Sequence, residues 1–138
     1  MALGKVLGEF VLKATSVRQT DLGGDRRRIE LDFAGEATGE IPGQNVGTLA
    51  VETAADVTRP SSWTYTGVLL AKSGAVVHVL GSGCGMRTGN GHKVRYRGTA
   101  RYHCDDPKLA PFNHMIAAIE SEADPATMTL KGISCEWN

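Results

Sequence analysis

A chain of 138 residues is long enough for one domain with a real core and too short for two. Its 15 Lys and Arg balance 15 Asp and Glu, so no global field gathers a polyanion, and nucleic acid is excluded from the expected partners unless a local patch provides for it. The 17 glycines suit tight turns and close backbone crossings better than a helical bundle. No run reaches the roughly 20 apolar residues of a bilayer-spanning helix, so no membrane is expected.

The amino terminus, MALGKVLGEFVLKA, lacks the basic start, apolar stretch and small-residue cleavage site of a signal peptide, which predicts a cytoplasmic protein. Residues 5–17 alternate, with Phe10, Leu12 and Ala14 on one face and Glu9, Val11, Lys13 and Thr15 on the other. That is the period-two pattern of a half-buried strand. A turn at Asp21–Asp25, built on Gly23 and Gly24, returns the chain into RRRIELDFAGE. There Ile29, Leu31 and Phe33 oppose Arg28, Glu30 and Asp32, which completes a hairpin. Glycines 35, 39, 43 and 47 fall even steps apart and line one face of an extended chain, with Pro42-Gly43 as a turn between its halves.

Residues 63–71 (WTYTGVLLA) and 75–81 (AVVHVLG) flank Ser73-Gly74 and read as a second hairpin. Residues 81–91, GSGCGMRTGNG, invite comparison with a phosphate-cradling loop, but a helix must follow such a loop, and here a strand does. The expected structure is a glycine-rich strand and hairpin with Asn90-Gly91 as its turn. In HKVRYRGTARYHC, Lys93, Arg95, Arg97, Thr99, Arg101 and His103 share one face, and Val94, Tyr96, Gly98, Ala100, Tyr102 and Cys104 share the other. Asp106 and Pro107 open a short helical turn over 107–113, which Pro111 keeps short. A strand through Ile116 and Ile119 follows, and a final strand spans about 127–137.

Eight to nine strands with short connections predict a mainly β domain over 1–138, an antiparallel eight-stranded closed barrel with one short helical turn. Closure removes the edges that a long meander would expose. Cys84, Cys104 and Cys135 form an odd set without a CxxC pair or a histidine at ligand spacing. Neither a disulfide framework nor a metal site is expected, and the thiols read as buried small hydrophobes. Arg26, Arg27 and Arg28 with Arg95, Arg97 and Arg101 read as solvated strand faces. No aromatic side chain interleaves with them to stack bases.

The opposite faces carry the chemistry. Trp63 and Tyr65 on one strand and Tyr96 and Tyr102 on another fall on the inner side, as does Phe33, and Trp137 is expected to join them. A buried tyrosine hydroxyl without a partner costs on the order of 1–3 kcal/mol, so several inside point either to a ligand-accepting cavity or to plugs whose hydroxyls reach the barrel mouth. His78 shares a face with Val76 and Leu80 and is expected inside. It reads either as a hydrogen-bonded core histidine or, beside Glu30, Glu120 or a tyrosine, as a proton-transfer group. Glu120 lies on the face of Ile116 and Ala118, pointing inward, or, with Glu122 continuing that face, outward. Asn113 either offers an amide to a ligand or ends the helical turn.

The carboxy-terminal third carries a Tyr-Arg-Gly strand, a KLAPFN segment, Glu120 and Glu122 before Asp124, and a terminal Glu136-Trp137 pair. In these it resembles the end of a group of small bacterial barrel proteins related in shape to allene oxide cyclase. That resemblance implies an eight-stranded barrel with a lumen for an apolar small molecule, and an arrangement open to homo-oligomers. It supplies no cyclase catalytic residue. The expected function is binding of a mostly apolar organic molecule without cofactor. Two forms are open: an isomerase, cyclase or lyase using His78, Tyr65, Tyr96 and Glu120 as acid–base groups, or a carrier or structural subunit without turnover. Trp63, Tyr102, Phe33, Asn113 and Trp137 are the expected ligand-contacting residues.

Overall fold

The alternation read from the sequence becomes eight antiparallel strands in the structure, a computed structural model that describes residues 3–56, 58–89 and 91–137. The strands are β1 (Leu3–Gly23), β2 (Arg26–Gly39), β3 (Gly43–Ala54), β4 (Ser61–Ala71), β5 (Val76–Arg87), β6 (Val94–His103), β7 (Ile116–Asp124) and β8 (Thr129–Trp137). Each pairs with the next and β8 pairs with β1, closing the barrel. Closure leaves one face of every strand for a shared interior. The 3-10 helix Pro107–His114 connects β6 to β7. Its amino end is held by the Asp106 carboxylate, which accepts from the Lys108 N–H at 2.9 Å.

β1 is longer than its hydrophobic alternation predicts, because β2 continues to pair with it after β8 has ended. The β8 ladder stops at Lys13 opposite Thr129, whereas the β2 ladder runs on to Gly23 opposite Arg26. A bulge between Ala14 and Ser16 falls just beyond the point where β8 ends, while β2 stays paired with β3 alongside. Gly23 and Gly24, at φ 90° and 62°, supply the left-handed backbone that the tip of the β1–β2 hairpin requires. On the hairpin's outer face, Arg18 donates to Asp32 at 2.8 Å, and Ser16 and Thr48 donate to the same carboxylate. The Arg18, Ser16 and Thr48 hydrogen bonds, in that order, hold the Asp32 carboxyl well below its usual range.

The interior packs Leu12, Phe33, Leu49, Val77, Val79 and Leu130 with the large aromatic residues. Glycines on the inner wall make room for the rings. A Cβ at Gly98 would stand 2.7 Å from the Trp63 indole, and one at Gly85 would stand 2.6 Å from the Tyr96 ring. The Tyr65 ring lies in the same way over Gly47 and Gly67. Large and absent side chains alternate across neighbouring strands, so that six-membered rings fit inside a narrow barrel.

The glycine-rich strand is found as expected, and the reading of the thiols changes. Residues 81–87 are all part of β5, so the glycine-rich segment is wall and not a phosphate loop; Asn90 of the expected Asn90-Gly91 turn lies outside the described residues. Of the three thiols only Cys104 is buried, while Cys84 is exposed and Cys135 half-buried. Cys84 falls on the outward parity of β5, between inward Gly83 and Gly85. Among the described residues no helix is long and apolar enough to cross a membrane.

Candidate functional site

Inside the barrel is a cavity of about 110 Å³. Its walls come from every strand, because inward residues recur at every second position. Trp63 and Tyr65 of β4 and Tyr96 and Tyr102 of β6 line it, as their alternation predicts, and Phe112 reaches it from the 3-10 helix. Trp63 and Tyr96 meet edge to face with ring centroids 6.4 Å apart, and Tyr102 meets Phe112 in the same way at 6.3 Å.

The polar atoms of these rings are disposed differently. The Trp63 indole N–H is satisfied by the wall, shared between the carbonyls of Cys84 and Arg97 at 3.2 Å each. The Tyr65 hydroxyl donates to Asn45 Oδ1 at 2.6 Å. Tyr102 is hydrogen-bonded to Ser134, and the Tyr96 hydroxyl bonds no other described residue. Desolvation pushes the Tyr65 and Tyr96 hydroxyls up to about 12. Tyr102 moves in the same direction for the same reason, opposed by its bond to Ser134. Near neutral pH all three are therefore uncharged and can donate.

Several expected site residues lie elsewhere. His78 is exposed, on the outer wall opposite His103, with the two ring centroids 6.4 Å apart. The inner positions of β5 go to Val77 and Val79, the former with no exposure at all, so Val76, His78 and Leu80 face outward together. Both faces of this segment are apolar, and the side turned inward is the one whose parity continues into Gly81, Gly83 and Gly85. Glu120 is also outside, its carboxylate 3.6 Å from Arg97 Nε and 3.9 Å from Arg95 Nε. Glu30 pairs with Arg18 and Arg28 on the outer face. Among the described residues no imidazole lines the lumen, and of the expected acid–base set only the tyrosines remain there.

Phe33 is buried at 3 % exposure but packs in the core away from the cavity wall. The Asn113 side chain is committed to the backbone of Cys104, accepting from its N–H at 2.7 Å and donating to its carbonyl at 2.8 Å. Trp137 ends β8 opposite Leu3, is 38 % exposed, and is not part of the lining. The strand pattern carried a signal that points instead to Asn45, Ser121 and Ser134. Each is a polar residue on the inward parity of its strand, and each lines the cavity.

The fold recurs in solved structures. A protein of unknown function from Clostridium acetobutylicum superimposes with a TM-score of 0.84 over 100 % of both chains at 11 % identity. One of unknown function from Rhodopseudomonas palustris gives 0.82 over 99 % of this chain and 98 % of that one at 15 % identity. An enzyme from Penicillium herquei gives 0.68 over 98 % and 94 % at 14 % identity. No protein-family model and no curated protein matches the chain. At these identities the likeness establishes the eight-stranded barrel and leaves the chemistry to be argued from the lumen.

Proposed function

We propose that this barrel binds a small, mostly apolar organic molecule in its lumen. The observation that carries the reading is the cavity of about 110 Å³ inside the barrel, lined by Trp63, Tyr65, Tyr96 and Tyr102 among others. Its volume is on the scale of the roughly 150 Å³ apolar cavity that accepts benzene, so a ligand of about one ring fits without rearranging the wall. Apolar walls with a few convergent polar groups are the usual makeup of such sites. The likeness of the carboxy-terminal third to barrels of the allene oxide cyclase shape supports the same reading without bringing the cyclase reaction.

Binding without turnover is the form we favour. With His78 and Glu120 on the outer wall and the lining residue Glu9 exposed, proton transfer inside the lumen would fall to tyrosine hydroxyls held near 12, which near neutral pH donate hydrogen bonds far more readily than protons. A ligand that binds only the folded barrel stabilises it by RT ln(1 + [L]/Kd), so the melting temperature rises with ligand concentration.

The test is a thermal-shift titration of the whole chain with single-ring compounds, accompanied by native mass spectrometry of freshly purified protein. We expect a rise in melting temperature that grows with ligand concentration, is lost in Tyr96→Trp, which fills the lumen, and is retained in His78→Ala and Glu120→Ala. Absence of any shift across such a panel, with no co-purified small molecule, overturns the reading. A shift abolished by His78→Ala overturns the placement of the site.

A further inference from the structure

Resting on the ligand-binding reading above, we propose that the lumen selects uncharged ligands bearing a hydrogen-bond acceptor, such as a ketone, ester or ether oxygen, and rejects carboxylates. The argument starts from which polar atoms the wall leaves open. The Tyr65 hydroxyl gives its proton to Asn45 Oδ1. That orients the Asn45 amide so that its acceptor is occupied and its Nδ2 donors bond no other described residue. The Tyr96 hydroxyl is open in the same sense, and both residues line the cavity. The open Asn45 Nδ2 only donates, while the hydroxyls of Tyr96 and Ser121 on the same wall can donate or accept, so an acceptor is the ligand group that all of them can meet.

Charge is treated differently. Among the described residues no lysine, arginine or histidine lines the cavity. The arginines of β6 alternate with the lining residues Tyr96, Ala100 and Tyr102 and point outward, where Arg95 and Arg97 face Glu120. The one ionisable acid along the lining is Glu9, which is exposed, so it places negative charge beside the cavity. A carboxylate entering the lumen would lose its hydration without gaining a cation, and burial of an unpaired charge is strongly unfavourable. A carbonyl oxygen loses far less hydration and gains the open donors. Burial raises the tyrosine hydroxyls as well, which keeps them donors across the neutral range.

Isothermal titration with acetophenone, benzoate and toluene tests this, because the three share one ring and differ in charge and acceptor. Acetophenone is expected to bind at least about ten-fold more tightly than benzoate at pH 7.5, the carboxylate paying for desolvation. It is also expected to bind several-fold more tightly than toluene, with that second margin shrinking in Tyr96→Phe and in Asn45→Ala. Benzoate should gain affinity as the pH falls and the neutral acid becomes the dominant species. Equal binding of acetophenone and benzoate at pH 7.5 overturns the charge selection while leaving the ligand-binding reading in place. Equal binding of acetophenone and toluene overturns the acceptor preference. Failure of all three to bind overturns the ligand-binding reading itself, and this inference with it.

Discussion

The Tyr65 hydroxyl on β4 donates to Asn45 Oδ1 on β3 at 2.6 Å, inside the barrel. Among the described residues each group is the other's only hydrogen-bond partner, so removing one strands the other in a largely apolar space. Tyr65→Phe and Asn45→Ala are each expected to cost on the order of 1–2 kcal/mol. The double variant should cost less than the sum, because it leaves no orphan. Urea unfolding of the four proteins measures the coupling, and strict additivity would show that the pair contributes nothing jointly.

Alkaline pH should weaken the fold over a defined window. Desolvation pushes the Tyr65 and Tyr96 hydroxyls up to about 12, from the usual tyrosine value of about 10. Between those values the unfolded chain gives up protons that the folded chain keeps, so the folded state binds more protons and stability falls as pH rises. Below about pH 10 the contribution is fully present, and through about pH 12 it is lost. Melting temperatures measured from pH 9 to 12 should decline, and Tyr96→Phe should decline less steeply than the parent. A parallel slope in the variant would mean that Tyr96 ionises as it does in the unfolded chain.

The alternation of residues 93–103 made the outward arginines and the inward tyrosines of β6 readable from the chain, because charge occupied one parity and rings and small residues the other. β5 was not readable in the same way. Val76, Val77, Val79 and Leu80 are apolar on both parities, so local pattern could not say which side His78 took, and the answer depended on the register that carries Gly81, Gly83 and Gly85 past the rings of β4 and β6. Asn45 escaped notice for a related reason. It stands among inward positions such as Gly47 and Leu49, but its meaning came only from the Tyr65 hydroxyl 20 residues away. Short-range alternation fixes which faces exist, whereas cross-strand pairing decides which groups meet.

The seating of Tyr96 on Gly85 makes a second coupled pair. The three atoms nearest to a Cβ built at Gly85 belong to side chains, the Tyr96 ring at 2.6 and 2.7 Å and Ser61 Oγ at 2.8 Å. Gly85→Ala therefore forces the ring off its position, at a cost of roughly 1–3 kcal/mol. Replacing the ring should relieve most of that strain, so Gly85→Ala is expected to cost clearly less in a Tyr96→Leu background than alone. Equal costs in both backgrounds, read from chemical denaturation, would indicate that the backbone and not the ring opposes the added methyl.

The same logic of committed partners governs the segment between β6 and β7. Asn113 closes a two-bond ring with the N–H and carbonyl of Cys104, at 2.7 and 2.8 Å, and so fixes the far end of the 3-10 helix to the end of β6. That ring also holds Phe112 against Tyr102 at the cavity wall. Asn113→Ala removes both bonds and leaves two backbone groups beside the buried Cys104 to find water, an expected loss of about 1–3 kcal/mol. Because few other contacts tie this segment down, the loss should be local before it is global. Amide exchange at Cys104 and along residues 107–114 should accelerate while the amides of Val77 and Val79 stay protected. Uniform acceleration across the barrel would instead make the Asn113 clamp part of the cooperative fold.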